Sequence, residues 1–352
     1  MSATPPAAAL RTDDAAWDAF VADAPAGSHL QQTGWARVKA ANGWRATRVV
    51  TDTSVGPAGV QMLVRHARGL PFGVGYAPRG PVLARWDPGA VAQLPDAIRA
   101  GARALRCTHV TLDPGTTDPV VAELLRAAGW RPADPVQHTR TRVVELGAGE
   151  AALWSGLRSK WRQYVGHARR AGVTVAEGGA DDLPIFHAIL AETAERTGFF
   201  PRDLSAYAAV WSAFAPSGAA RLLIARLADG TPVAALFLVR CGGRVAEPYG
   251  GMTAAGAESR ANYLLKWESL RQAAEAGAGI YDMWGIAHPG IEQFKAGFGG
   301  TEVGYPGAFD LAIVPGAPAA LAAAWRTWVR LARRRLAPPP GSGGAPGGGA
   351  PA

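Results

Sequence analysis

Cysteine is scarce in this chain. Only Cys107 and Cys241 occur among 352 residues, far apart and without Cys-x-x-Cys or Cys/His ligand spacing, so neither a disulfide framework nor a zinc site is expected. Two reduced, buried thiols follow. No stretch approaches the roughly 18 consecutive apolar residues of a membrane span, and Met1–Trp17 lacks a basic region followed by an apolar one. The expected compartment is therefore the cytoplasm. A Gly-x-Ser-x-Gly elbow, a Walker phosphate loop and a dinucleotide fingerprint are all missing, which argues against triad hydrolases and against the two commonest nucleotide folds. Seven histidines (His29, His66, His109, His138, His167, His187, His288) are scattered without metal spacing and read as structural, with His288 set apart by its place in the sequence.

What is present is apolar material for two cores. At 48% hydrophobic residues with 12 tryptophans the chain excludes global disorder, and its length suits two domains of ordinary size. The formal net charge is +8, and two acid-free segments account for it. Arg158, Lys160, Arg162, Arg169 and Arg170 lie within residues 154–170, and Arg326, Arg330, Arg333, Arg334 and Arg335 within residues 325–336. Such clusters point to a polyanionic partner (nucleic acid, phosphorylated metabolite or anionic lipid); solvated helix faces are the plainer reading. Residues 337–352 hold only Pro, Gly, Ala and one Ser and are expected to be disordered.

Residues 153–171 read as a helix. At ~100° per residue Leu157, Trp161, Tyr164 and Ala168 share a face, with Arg158, Arg162 and Arg169 on a neighbouring stripe, and Gly172 is placed to end it. Leu321, Trp325, Trp328 and Ala332 give a final helix expected to pack on the first domain. Strands are expected over 45–50, 60–66, 221–227, 233–240 and 244–248.

A weak internal repeat runs at an offset of about 170 residues. Thr33-Gly34-Trp35 recurs as Thr197-Gly198-Phe199, Tyr76 as Tyr249, a strand end at Asp113 as one at Asp282, and Gly129-Trp130 as Phe298-Gly299. Tyr76 and Asp113 are 37 residues apart, Tyr249 and Asp282 33. The expected organisation is a first domain over 1–146 completed by a C-terminal segment 305–336, a second, catalytic domain over 147–304, and the tail.

The sharpest candidate centre is Tyr281-Asp-Met-Trp-Gly-Ile286 followed by Phe294-Lys-Ala-Gly-Phe-Gly-Gly300. It sets one cation, Lys295, beside aromatic walls, as a reaction requires when negative charge grows on a carbonyl oxygen. The helix–strand order resembles the GNAT acyltransferase fold. Its pyrophosphate loop, Gln/Arg-x-x-Gly-x-Gly/Ala, is matched only by Gln31-Gln-Thr-Gly-Trp-Ala36, too early in the chain, while the equivalent place in the second half reads Glu258-Ser-Arg-Ala-Asn-Tyr263 without the glycine. Coenzyme A is thereby disfavoured.

In order, the motifs Leu30-Gln-Gln-Thr-Gly-Trp-Ala-Arg-Val-Lys39, Tyr76-Ala-Pro-Arg-Gly-Pro81, Leu112-Asp-Pro114, Leu157-Arg-Ser-Lys-Trp-Arg162, Tyr249-Gly-Gly251, Leu265-Lys-Trp267, Tyr281-Asp-Met-Trp-Gly285 and Phe294-Lys-Ala-Gly-Phe-Gly299 resemble the Fem-type (FemABX) aminoacyltransferases, from about His29 to Leu311. The resemblance implies an α/β (α+β) fold of two tandem GNAT-like domains with mixed twisted sheets and a cleft between them, in a compact member lacking the coiled-coil arm. It implies transfer of an amino acid from aminoacyl-tRNA, as co-substrate and with no cofactor or metal, to the stem-peptide amine of UDP-MurNAc-pentapeptide or lipid II. The chain would then be a cytoplasmic monomer in peripheral contact with the inner membrane face. Carried over residue by residue, Lys295 stabilises the tetrahedral intermediate; Lys39 and Arg202 meet the nucleotide-sugar diphosphate; Tyr207, Tyr76, Tyr249, Asp113 and Phe294 bind substrate; and Arg158, Lys160, Arg162 and Arg169 touch tRNA phosphates. Two alternatives stay open: a GNAT-like acyltransferase using acyl-CoA or another donor on a polysaccharide or lipid, and a non-catalytic tRNA- or membrane-surface-binding module.

Overall fold

The computed structural model describes residues 7–66, 69, 71–198, 201–286 and 289–314. The expected final helix with its arginine cluster, the Pro/Gly tail, Phe199 and His288 lie outside the described residues. Among the described residues thirteen strands form two sheets. In chain order they are β1 (Arg45–Thr53), β2 (Gly56–His66), β3 (Gly73–Arg79), β4 (Cys107–Pro114), β5 (Arg131–Ala133), β6 (Arg140–Glu145), β7 (Thr174–Gly178), β8 (Ala220–Arg226), β9 (Pro232–Cys241), β10 (Arg244–Met252), β11 (Ile280–Gly285), β12 (Thr301–Gly304) and β13 (Ala308–Ala312). The first sheet runs β1-β2-β3-β4-β13-β5, the second β12-β6-β11-β10-β9-β8-β7. Central strands β2 and β9 are buried along nearly their whole length, as their near-continuous apolar runs require when both faces are covered.

The repeat has a structural counterpart. β3, helix Pro88–Ala104 and the parallel β4 form one crossover unit; β10, helix Ala261–Glu275 and the parallel β11 form the other. Tyr76 and Tyr249 sit on the first strand of each pair, Asp113 and Asp282 on the second. Thr33 and Thr197 are not equivalent, because Thr33 opens a helix and Thr197 closes one. Gly34 is required instead by packing: a Cβ there would stand 2.7 Å from the Phe214 ring. Helix Thr33–Ala40 of the first unit thereby lies against helix Leu204–Phe214 of the second. Leu30, Trp35, Val38 and Leu63 join Phe186, Tyr207, Phe214 and Phe237 in one buried cluster spanning both units.

β13, which lies in the 305–336 segment expected to complete the first domain, returns from the far end of the chain to lie between β4 and β5. Two expectations need correction. β6 hydrogen-bonds to β11 and β12, not to the first sheet, so the first unit ends in the 134–139 connection rather than at 146. The expected 153–171 helix is two helices, Glu150–Gly156 and Ser159–Arg170, broken where Leu157 turns extended and Arg158 N–H donates to Gly297 O at 2.9 Å. Trp161, Val165 and Ala168 form the buried stripe of the second helix, and Gly172 closes it at φ +75°. Among the described residues the longest helix has 17 residues, and none is long and apolar enough to cross a membrane.

Under helix Ala261–Glu275 lies a buried polar knot. Lys266 and Glu247 pair with side chains 2% and 8% exposed, Tyr281 Oη donates to Glu247 Oε2 at 2.5 Å, and Ser269 Oγ sits 2.9 Å from Tyr281 Oη. Removing one partner strands a charge in the interior. Lys266→Met is expected to cost roughly 3–5 kcal/mol and the double variant Lys266→Met/Glu247→Gln much less; urea unfolding of both, with equal losses sinking the idea, measures the coupling.

Candidate active site

The two units enclose a cavity of about 700 Å³. From the first come Lys39, Arg65 and Tyr76, from the connection His138, and from the second Arg202, Tyr249 and Trp284. Three cations, Lys39, Arg65 and Arg202, and one acid, Asp134, line it, and among the described residues none of the three cations takes part in a salt bridge with a described acid. Lys39 lies in the last turn of helix Thr33–Ala40, its Nζ 4.8 Å from the Trp35 ring centre. Arg65 projects near the end of β2, 5.8 Å from the Trp44 ring centre. Burial, then Arg202, then Arg65 pull the Lys39 pKa down to about 8. Cations held together at such a cost form a receptor for an anion.

Arg202 is placed by its backbone. Its N–H donates to Tyr207 Oη at 3.1 Å, and its carbonyl lies 3.1 Å from His187 Nε2. Tyr207 is 2% exposed, packs edge-on to Tyr249 with ring centres 5.1 Å apart, and is not among the cavity-lining residues. It positions Arg202 instead of meeting a ligand. Tyr249 does line the cavity; burial raises its pKa, with Arg202 opposing.

Tyr76 Oη donates to Asp113 Oδ2 at 2.8 Å and accepts from Gln137 Nε2 at 2.9 Å. Asp113, 2% exposed, stands behind Tyr76 and also accepts from Val136 N at 3.3 Å. Burial raises both pKa values, that of Tyr76 well above the ordinary phenol, so the hydroxyl keeps its proton and Asp113 acts on the cavity through it.

Beside this lies the strand end that Lys295 was expected to serve. In the second sheet β10 and β11 stay paired only at 244–246 with 280–282, and then part, whereas β3 and β4 remain paired to Arg79 and Pro114. In the opening the chain kinks: Trp284 takes φ +61°, a conformation a bulky residue adopts only when its surroundings enforce it. Lys295 supplies much of that enforcement. Its Nζ donates to the carbonyls of Met283, Trp284 and Gly285 at 2.6, 3.0 and 2.7 Å, while Trp284 N donates to Asp282 Oδ1 at 2.8 Å. Lys295 is 9% exposed as a residue, its ammonium faces the three carbonyls, and its pKa is lowered to about 8 chiefly by burial. Expected as an oxyanion donor, Lys295 thus has all three N–H bonds engaged, and Trp284 rather than Lys295 lines the cavity.

Two other expected contacts lie elsewhere. Phe294 packs in an aromatic cluster with Tyr263 and Phe298, each 5.2 Å away, and its carbonyl accepts from Trp161 Nε1 at 3.0 Å; it does not line the cavity. On the basic helix Arg162 caps the carbonyls of Ser155 and Leu157, and Arg169 bonds Glu268 at 3.0 Å. Arg158 and Lys160 lie over the rings of Trp161 and Tyr164. Arg65, His138 and Trp284 were missed. Arg65 carried a signal, a charge closing the apolar run of β2; a positive φ at Trp284 leaves none. Among the described residues no group of three or more His, Cys, Asp or Glu is placed to hold a metal ion.

A model of the FemAB family matches residues 12–119, and one of the acetyltransferase (GNAT) domain matches 155–296. The crystal structure of FemX superposes with a TM-score of 0.78 over 85% of this chain and 96% of that one, at 21% identity. The first unit matches the FemAB family and the second the GNAT acetyltransferase domain. Similar proteins include the lipid II:glycine glycyltransferases of Staphylococcus saprophyticus, 29% identical over 62% of this chain and 55% of that protein, and of Staphylococcus aureus, 28% identical over 60% and 53%. The chain spans about half the length of the curated relatives it matches. A tandem GNAT protein from the clavulanic acid biosynthesis pathway shares the fold more distantly, with a TM-score of 0.50 over 78% of this chain and 85% of that one, at 14% identity. As expected, the chain is built from two GNAT-like domains.

Lys39 gives this site a pH signature. A bound anion favours the ammonium, so affinity for inorganic pyrophosphate should be full below pH about 8 and fall as pH rises through it, by up to roughly tenfold per unit. Titration calorimetry from pH 6.5 to 9.5 measures this, and Lys39→Met should flatten the dependence. Tyr207→Phe frees the Arg202 N–H and is expected to weaken pyrophosphate binding several-fold, on the order of 1 kcal/mol, leaving Lys39-dependent pH behaviour in place.

Proposed function

We propose that this protein is a FemAB-type aminoacyltransferase that moves an amino acid from aminoacyl-tRNA to an amine on the stem peptide of a peptidoglycan precursor. The observation that carries this reading is the group of Lys39, Arg65 and Arg202, an excess of cations around a cavity between two GNAT-like domains. A sugar-linked diphosphate, as in UDP-MurNAc-pentapeptide or lipid II, supplies the missing negative charge and is large enough to use the space. The staphylococcal relatives, lipid II:glycine glycyltransferases, point the same way.

An ester carbonyl is already activated toward an amine, so the protein's tasks are to hold the reactants together and stabilise the developing oxyanion. Lys295 provides fixed positive charge under the strand end at Trp284 and can exchange one of its three carbonyl partners for the oxyanion. Tyr76 and Tyr249 wall the acceptor's path, with Asp113 holding the Tyr76 hydroxyl. On the donor side Arg158 and Lys160 offer phosphate contacts for the RNA, which position without reading sequence, while Arg162 and Arg169 serve that face from within. No cofactor enters beyond the aminoacyl-tRNA co-substrate. The reading places the chain in the cytoplasm as a monomer meeting lipid-linked precursor peripherally.

The alternative reading, transfer from acyl-CoA, draws on the GNAT match. Against it, the turn into helix Ala261–Glu275 carries Arg260 at φ +61° where a pyrophosphate loop would use glycine. Purified protein with aminoacyl-tRNA and UDP-MurNAc-pentapeptide should give a product heavier by one aminoacyl residue in mass spectrometry. Stabilisation by coenzyme A but not by the UDP-linked precursor would overturn the assignment. Lys295→Met should lower turnover by roughly 10²–10³ with precursor affinity retained, and should lower the melting temperature because three carbonyls lose their donor. Unchanged turnover would remove Lys295 from the mechanism.

A further inference from the structure

The aminoacyl-transfer reading leaves one chemical task unassigned. As the amine attacks, its nitrogen becomes acidic and must lose a proton, and the departing ribose oxygen must gain one. Three histidines line the cavity: His29, His109 and His138. His29 is 3% exposed, its ring enclosed by Trp35, Phe214 and Trp284 at 6.1, 6.0 and 5.3 Å. His109 already has its Nδ1 3.0 Å from the Thr108 hydroxyl. His138 is different. Among the described residues nothing hydrogen-bonds either nitrogen of its ring, and only its backbone carbonyl is engaged, by Arg79 Nη2 at 2.8 Å.

The ring is nonetheless held in place. It lies against Gly285 so closely that a Cβ added there would stand 2.1 to 2.4 Å from its Cγ, Cδ2 and Nδ1 atoms. The carbonyl of that same Gly285 accepts from Lys295 at 2.7 Å, so one peptide group separates the imidazole from the ammonium. The charged groups acting on it are Lys295 from helix Pro289–Ala296, Arg79 from β3 and Asp282 from β11. Burial and the two cations lower its pKa, against the opposing pull of Asp282, so the ring is neutral at physiological pH and ready to accept.

Resting on the aminoacyltransferase reading, we propose that His138 is the general base of the reaction. The neutral acceptor amine forms its N–C bond to the ester carbonyl; a free imidazole nitrogen takes the proton from that nitrogen. As the C–O bond to the ribose breaks, the imidazolium returns the proton to the departing 3′ oxygen, giving amide and hydroxyl with His138 restored. Asp113 is a poorer base because its two oxygens already serve Tyr76 and Val136. Lys295 donates three hydrogen bonds as an ammonium and has no lone pair with which to take a proton.

The test is the pH dependence of kcat/KM for transfer from aminoacyl-tRNA to UDP-MurNAc-pentapeptide. Wild type should show an acid limb below neutrality, from protonation of His138. His138→Gln should lose that limb and fall at least 100-fold in kcat with precursor affinity within about threefold. Added imidazoles should restore His138→Ala, the more basic ones faster, a trend that filling a void would not produce. Gly285→Ala, which leaves the imidazole in the chain but displaces it, should lose kcat similarly. Retention of the acid limb and rate in His138→Gln, or rescue indifferent to the basicity of the added imidazole, would overturn the assignment while leaving the aminoacyltransferase reading intact. Absence of transfer by wild type would overturn both.

Discussion

The site depends on a hydrophobic contact that contains no catalytic residue. Helix Thr33–Ala40 can approach helix Leu204–Phe214 only because position 34 has no side chain. The cluster built on that approach, with Trp35 and Val38 on one side and Tyr207 and Phe214 on the other, sets the distance between the two units. Lys39 lies one turn beyond Trp35, and Arg202 lies just before the helix that carries Tyr207. The apolar contact therefore holds like charges near one another across the cavity. Burial first and this repulsion second lower the Lys39 pKa, and the buried aromatic area holds the units together against the repulsion.

The second constraint is the way Lys295 is buried. An ammonium in a dry environment must spend its hydrogens on acceptors, and here three consecutive carbonyls receive them. The arrangement holds Trp284 in an unusual backbone conformation and carries positive potential to the edge of the cavity. One residue thus ties local conformation to electrostatics, and any role it has in chemistry is inseparable from its role in shaping the strand end.

Much of this was legible in the residues, for identifiable reasons. Apolar runs announced β2 and β9 because central strands must be apolar on both faces, and the tyrosine and aspartate spacings announced the two crossover units because such a unit has a nearly fixed length. The sheet that β6 joins was not legible. Arg-Thr-Arg-Val-Val-Glu reads as a strand, but its partners lie more than a hundred residues away and leave no local trace. Direction was equally hidden. Phe294 and Lys295 are adjacent on one helix, yet one enters an aromatic cluster and the other a cradle of carbonyls. Arg162 and Arg169 looked like free surface charge until their partners, a helix end and Glu268, were in view. His138 gave no signal at all, since its significance lies in what fails to touch its ring.

The position of β13 has a consequence for the order in which the protein is made. The strands of the second sheet lie in one uninterrupted stretch from β6 to β12, whereas the first sheet has a gap between β4 and β5 that only residues 308–312 fill. On the ribosome the unit synthesised first is therefore completed last. Until that late strand emerges, the nascent N-terminal half carries two unmatched strand edges, and the C-terminal half can close around its own core ahead of it.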